Sequence, residues 1–346
     1  MSRAAASVTR GWRTLVVAGA CAVVLASCGT ARVATPHVIG TPSSSIDVPL
    51  ANVACTTSGS CIAAGGDDSS AAPSSVVEVR HANGTWSALT TPDTLSQSIT
   101  SASCWSDGCL VGGTQSSLDS IWSYLQRGES LIVATAPHAG RGVSTIDCFA
   151  DATCAVVDTT GITGSSRLAF TSDAATTWSV PTPLTWTVGD AVTALSCTDE
   201  LNCLVAAATS SHHVILEATH DGGITWTART VPSTWWTLTS LTCEKLNCVA
   251  LVNTSTSSLV ARTTTFGRVW RSAALANTAS SLACARLSRC VVAGTTPSQG
   301  PWLATLKGLR ATTVALKYVP SPLIDAACGV KVCAAVAAST VLSFSP

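Results

Sequence analysis

Seven close cysteine pairs, recurring at near-constant spacing, constrain this chain more than any other feature. The pairs are Cys55 and Cys61, Cys104 and Cys109, Cys148 and Cys154, Cys197 and Cys203, Cys243 and Cys248, Cys284 and Cys290, and Cys328 and Cys333. Their first members lie 49, 44, 49, 46, 41 and 44 residues apart, a mean of 45.5, so one unit of that length repeats along the chain. Before each pair comes a short segment such as Val192-Thr-Ala-Leu-Ser-Cys197, apolar five and usually two positions ahead of the cysteine. After it comes an unbroken apolar run, such as Leu204-Val-Ala or Val249-Ala-Leu. Such runs, bounded by Gly, Ser, Thr and Asp, read as strands buried on both faces. The residues inside each pair are turn-formers, so each pair is expected to staple a β-hairpin just outside its turn, where facing Cβ atoms come within reach of a disulfide. In the chain-entropy account a loop of six or seven residues contributes roughly 2 to 2.5 kcal/mol. Zinc is the rival for paired cysteines. A structural zinc site takes four ligands, whereas these pairs sit on separate repeats and the chain has only six histidines, so no metal is expected.

A four-stranded propeller blade occupies about the same length as this repeat. The expectation is an all-β, seven-bladed propeller over residues 37–346. After Cys333 the chain holds material for only two more strands, ending at Pro346, so the N-terminal strand, His37-Val38-Ile39, is expected to complete the last blade.

The N-terminus carries an address. Arg3, Arg10 and Arg13 precede an apolar run from Leu15 to Ala26, too short to span a bilayer as a mature helix, and the run ends in Leu25-Ala26-Ser27-Cys28. This stretch resembles the lipobox of bacterial lipoproteins. The resemblance implies a signal peptide over 1–27, acylation of Cys28, a tether over 28–36 and anchoring to the outer face of the cell membrane. Fourteen further cysteines suit an oxidising compartment. From Cys28 onward the formal charge is 16 minus 19, or −3, and charged residues are 11% of the chain, which excludes a nucleic-acid partner.

A second signature lies 20 to 25 residues beyond several pairs. Thr219, Asp221, Gly223 and Trp226 occupy relative positions 0, 2, 4 and 7. Asp173 and Trp178 repeat the pattern without the glycine, and Gly267 and Trp270 repeat it without the aspartate. It resembles the Asp-box of the sialidase-like (BNR) propeller repeat family, and also the exported photosystem-assembly propellers that carry such repeats. The resemblance implies that the aspartate caps a turn between the third and fourth strands while the tryptophan packs on the blade.

Function is less legible. Second-to-third strand loops and blade-to-blade connections form the usual binding face of such propellers, and there Trp186, Asp190, His212, His213, Trp235 and Trp236 gather around one blade, a surface suited to an envelope protein or a glycan. Asp67, Asp68, Asp119 and Asp158 fall on neighbouring loops without the spacing of a calcium loop. Sialidase chemistry, as the resemblance implies, needs an arginine triad and a Tyr nucleophile with a Glu partner. Tyr124 lies near Arg127 and Glu129 but on a segment that reads as a mid-blade strand, and Tyr318 follows Lys317 on one that reads as an outer strand, so neither makes that constellation. The reading is a monomeric, non-catalytic binding or scaffolding module without cofactor; the alternative is a glycoside hydrolase working through carboxylates that converge from different blades. Replacing Cys28 by Ala is expected to release the protein from the membrane fraction. Unchanged sedimentation with membranes would contradict the lipobox.

Overall fold

Alternating apolar runs and turns fold here into antiparallel sheets arranged as a β-propeller. The computed structural model describes residues 48–67, 74–81, 84–89, 99–113, 120–125, 130–134, 137, 142–160, 165–186, 190–316, 319 and 321–345. Residues 34–346 belong to one compact unit. Blades 1 to 6 span residues 50–88, 99–134, 143–183, 191–228, 237–274 and 278–314, each a four-stranded sheet whose strands follow chain order outward from the centre. The terminal sheet, 323–344, has three strands. The expectation of seven four-stranded blades is therefore corrected to six. The physical reason lies at the C-terminus, where the segment after Cys333 supplies only Thr340–Phe344 beyond the hairpin. The proposed closing strand at 37–39 lies outside the described residues, as do residues 1–36.

Each blade buries both of its faces against neighbours, which explains why second strands read as continuous apolar runs. Cys203–Ala208 and Asn247–Asn253 hold Leu204, Val205, Ala206, Val249, Ala250 and Leu251 at 0% exposure. Their side chains alternate between the two adjoining interblade layers. Leu204 and Ala206 face blade 5, in the layer that contains Trp235 and Leu238, whereas Val205 faces blade 3, in the layer that contains Leu168 and Leu184.

Seven disulfides join the first and second strands of the six blades and the terminal sheet: Cys55–Cys61, Cys104–Cys109, Cys148–Cys154, Cys197–Cys203, Cys243–Cys248, Cys284–Cys290 and Cys328–Cys333. In each the two cysteines are register partners. Their Cα atoms lie 3.9–4.1 Å apart, the close approach of a pair that does not exchange backbone hydrogen bonds.

At the other end of most first strands the register slips by one residue, as between Leu50 and Asn52 and between Ala279 and Ser281. Glycine sits opposite the slip in blades 1 and 6. A Cβ on Gly65 would lie 2.0 Å from Pro49 O, and one on Gly294 would lie 2.1 Å from Thr278 O. Backbone cannot yield as a side chain does. Gly294→Ala is therefore expected to lower unfolding free energy by about 1–3 kcal/mol, read from denaturant melts; an unchanged midpoint would refute the close approach.

Candidate functional site

The first strands surround a central channel of about 420 Å³. An inner-edge strand presents backbone N–H groups with no strand beside them, and each such group needs an acceptor. Here the acceptor is a side chain one or three positions before a cysteine on the preceding unit. Ser101 Oγ accepts from Ile146 N–H at 3.0 Å and Ser103 Oγ from Cys148 N–H at 2.9 Å. Ser196 Oγ accepts from Cys243 N–H, Ser240 Oγ from Leu282 N–H and Ser281 Oγ from Ala326 N–H. Two junctions use carboxylates instead. Asp147 Oδ2 accepts from Cys197 N–H at 2.6 Å, and Asp325 Oδ2 accepts from Val53 N–H at 2.9 Å. Asp325 Oδ1 also accepts from Ser281 Oγ at 2.6 Å, so this one side chain ties blade 6, the terminal sheet and blade 1. Between blades 1 and 2 the roles reverse, with Asn52 Nδ2 donating to Ile99 O at 2.9 Å.

Asp147 and Asp325 are the channel's only titratable lining residues apart from the disulfide cysteines, among the described residues. Both are half-buried by accessible surface because they face the channel, yet protein crowds them from every side. Burial pushes the Asp147 carboxyl up to about 7, against the opposing hydrogen bond from Cys197 N–H. Asp325 is raised for the same reason, offset by its bonds from Ser281, Val53 and Ala326. No group of three or more metal-ligating side chains occurs among the described residues. Neither aspartate was singled out from the sequence. The available signal was the polar residue at alternate positions before each cysteine.

The face formed by the cysteine turns is locked. Thr219 Oγ donates to Asp221 Oδ1 at 2.8 Å and accepts from Gly223 N–H at 2.8 Å, while Asp221 accepts from both Thr225 N–H and Thr225 Oγ. Asp173 makes the same set with Thr171 and Thr177, and its carboxyl is held down at about 2, chiefly by the Thr177 hydroxyl. Asp221 is lowered likewise, with Thr225 as the main cause. The turn needs positive φ at its centre. Gly222 and Gly223 provide it in blade 4, whereas Ala174 and Ala175 adopt it in blade 3. In blade 5 Thr265 Oγ replaces the aspartate in accepting from Val269 N–H, with Phe266 and Gly267 at positive φ. Each turn also docks on the cysteine turn of its own blade: Gly222 N–H donates to Leu201 O, and Phe266 N–H to Leu246 O. Trp178, Trp226 and Trp270 pack on interblade cores. These aspartates and tryptophans are committed to structure.

On the opposite face the six proposed surface residues separate. Trp235 is 1% exposed and meets Trp270 edge-on at 5.6 Å, so it is core. Trp186 packs half-buried between blades 3 and 4, and Asp190 is half-buried. His212, His213 and Trp236 are exposed. His212 and Trp236 stack at 5.0 Å with 22° between their planes, leaving Trp236 39% exposed. The turn carrying His212 is held by Thr209, whose carbonyl accepts from His212 N–H and whose hydroxyl accepts from His213 N–H. Trp236 is fixed by its N–H on Asn253 O.

Of the loop acids, Asp158 is 1% exposed, inside the second strand of blade 3. Cys28, Asp68, Asp119 and Tyr318 lie outside the described residues, as do the side chains of Asp67 and Tyr124.

No family model matches this chain, and no curated protein matches it. Solved structures do. YCF48 bound to D1 peptide is 13% identical, covering 89% of this chain and 100% of that one at a TM-score of 0.60. YCF48 from Cyanidioschyzon merolae is 10% identical, covering 90% and 98% at 0.59. The Niastella koreensis GH74 enzyme is 10% identical at 0.63, covering 90% of this chain and 53% of that one, so this chain spans about half of the enzyme. At such identities the likeness establishes the β-propeller fold alone.

The carboxyl pair in the channel gives a measurable consequence. Unfolded aspartate titrates near about 3.9, well below the folded value of about 7 for Asp147. The folded state therefore holds the extra proton, and this contribution to stability is fully present below about pH 4 and lost as pH rises through about 7. The melting temperature is expected to fall between about pH 5 and 8, and Asp147→Asn to flatten that fall; a wild-type profile that rises across the interval would contradict the assignment.

Proposed function

We propose that this chain is an exported, lipid-anchored binding propeller, held to the membrane through acylated Cys28 and built on Asp-box turns. It engages an envelope protein or glycan through the His212–Trp236 face of blades 4 and 5. The observation that carries this reading is the exposed ring stack. His212 and Trp236, both exposed and on two separate loops, stack on one another at 5.0 Å. Seven disulfides suit an oxidising compartment outside the cytoplasm. No helix among the described residues is long and apolar enough to cross a membrane.

A peptide is bound in one of the similar propellers, YCF48, and this supports a protein partner as one form of the reading. Hydrolysis, the activity suggested by the GH74 likeness, is less well served. The channel carboxylates Asp147 and Asp325 each accept a backbone N–H across a junction through Oδ2, and Asp325 Oδ1 also accepts from Ser281, so both already serve the ring as structural acceptors.

The test is crosslinking and affinity capture from native membranes with wild type and with His212→Ala/Trp236→Ala. Trp235 is left intact, because truncating a buried tryptophan costs about 3–5 kcal/mol and would confound the result. The double variant should melt as wild type does and lose the specific partner. Capture of the same partner at the same yield would remove this face from the function.

A further inference from the structure

We propose that the His212–Trp236 platform takes the face of a neutral sugar ring. This rests on the binding reading above and narrows it to one ligand class. Three loops build the site: 209–213, 229–236 and 253–258. Arg229 is their only charged residue apart from histidine, and it is turned away, its guanidinium buried at 8% exposure with Nε donating to Phe266 O and Nη2 against His220 Nε2. Apart from its two histidines the site offers no available cation or anion, which disfavours phosphates, sulfates, carboxylated sugars and charged peptides. It also lacks the basic groove that single-stranded nucleic acid requires alongside aromatic stacking.

What remains is a choice between a protein and a neutral glycan, and size and composition separate them. A stable protein interface buries about 800 Å² on each partner and enriches Tyr, Trp, Phe, Met and Arg while depleting Ser. Here the exposed aromatic surface is a single indole, 39% exposed and stacked on His212, and the three loops otherwise carry mainly short hydroxyl side chains and one amide. Ser210 and Ser255 are exposed and make no hydrogen bond among the described residues. Asn253 Oδ1 accepts from Ser258 Oγ at 2.6 Å, which fixes the amide and leaves its Nδ2 as a donor. An electron-rich ring face opposite polarised C–H groups, rimmed by hydroxyl and amide groups for equatorial OH groups, is the complement of a pyranose.

The same backbone turn elsewhere acts as an internal control. In blade 6, Thr296 O accepts from Gln299 N–H and Thr296 Oγ from Gly300 N–H, and Gln299 holds the positive φ that His212 holds in blade 4, at 64° and 59°. Blade 6 uses the turn without an aromatic stack. The ring at position 212 is thus a choice of side chain and not a demand of the turn.

The full chain is applied to an array of neutral α- and β-linked glucans, mannans and galactans, with sialylated and sulfated glycans as charged controls. Hits are titrated by tryptophan fluorescence. The expected result is binding to a neutral glycan, insensitive to salt between about 50 and 500 mM because no ion pair contributes. Trp236→Ala should weaken it at least about tenfold, Trp236→Phe should restore most of it, and Gln299→Ala should leave it unchanged. Binding confined to charged glycans, or retained in Trp236→Ala, overturns the proposal. So does the absence of any neutral hit. If the array is silent while membrane capture still depends on Trp236, the sugar assignment falls and the wider binding reading stands.

Discussion

A propeller must dispose of the inner edge of every sheet. Each first strand here faces the channel with backbone donors that no neighbouring strand can reach. The unit before it answers with a side chain, usually a serine hydroxyl and twice a carboxylate, so that every junction but one around the channel is a hydrogen bond from main chain to side chain, and between blades 1 and 2 the Asn52 amide donates to Ile99 O instead. Apolar packing between blades is stronger in sum but indifferent to sliding. These short bonds set the angular register, because an acceptor one or three positions before a cysteine meets only one donor. Asp325 is the extreme case, since both its oxygens are used and three units converge on it.

Register at the channel divides the remaining surface into two kinds. On the cysteine side, turn bonds, disulfides and docked carbonyls hold the turns from within, and their aspartates sit low in pKa because they are already in use. On the other side, loops of differing length emerge from the same frame, held by threonine-centred turn bonds such as those of Thr209 and Thr296. An exposed indole stacked on a histidine persists there because nothing in the frame requires it to be elsewhere.

How much of this was legible depended on whether a feature was periodic. Cysteine spacing, apolar runs and the Thr219–Trp226 turn recur, so their physics shows through a single sequence as repetition. The fold class followed from them, while the blade count did not, because the terminal sheet has three strands among the described residues where the repeat has four. At the site, adjacency in sequence misled. Trp235 and Trp236 are neighbours, yet successive side chains diverge, and one entered the core while the other reached solvent. Asp147 and Asp325 went unnoticed because each is a lone acid in its strand; only aligning the repeats on their cysteines shows both at acceptor positions filled elsewhere by serine.

The disulfides also bear on how such a chain reaches its native state. Fourteen thiols can pair in about 1.4 × 10⁵ ways, by the same counting that allows 105 for eight. Every native partner, however, is five or six residues away. Bridging to the next repeat instead would close a loop roughly seven times longer, at an extra entropic cost of about 1.8 kcal/mol per bridge. Each hairpin can thus be oxidised on its own, before distant pairs come together. Reshuffling has little to correct, and the blades assemble from units whose covalent structure is already complete.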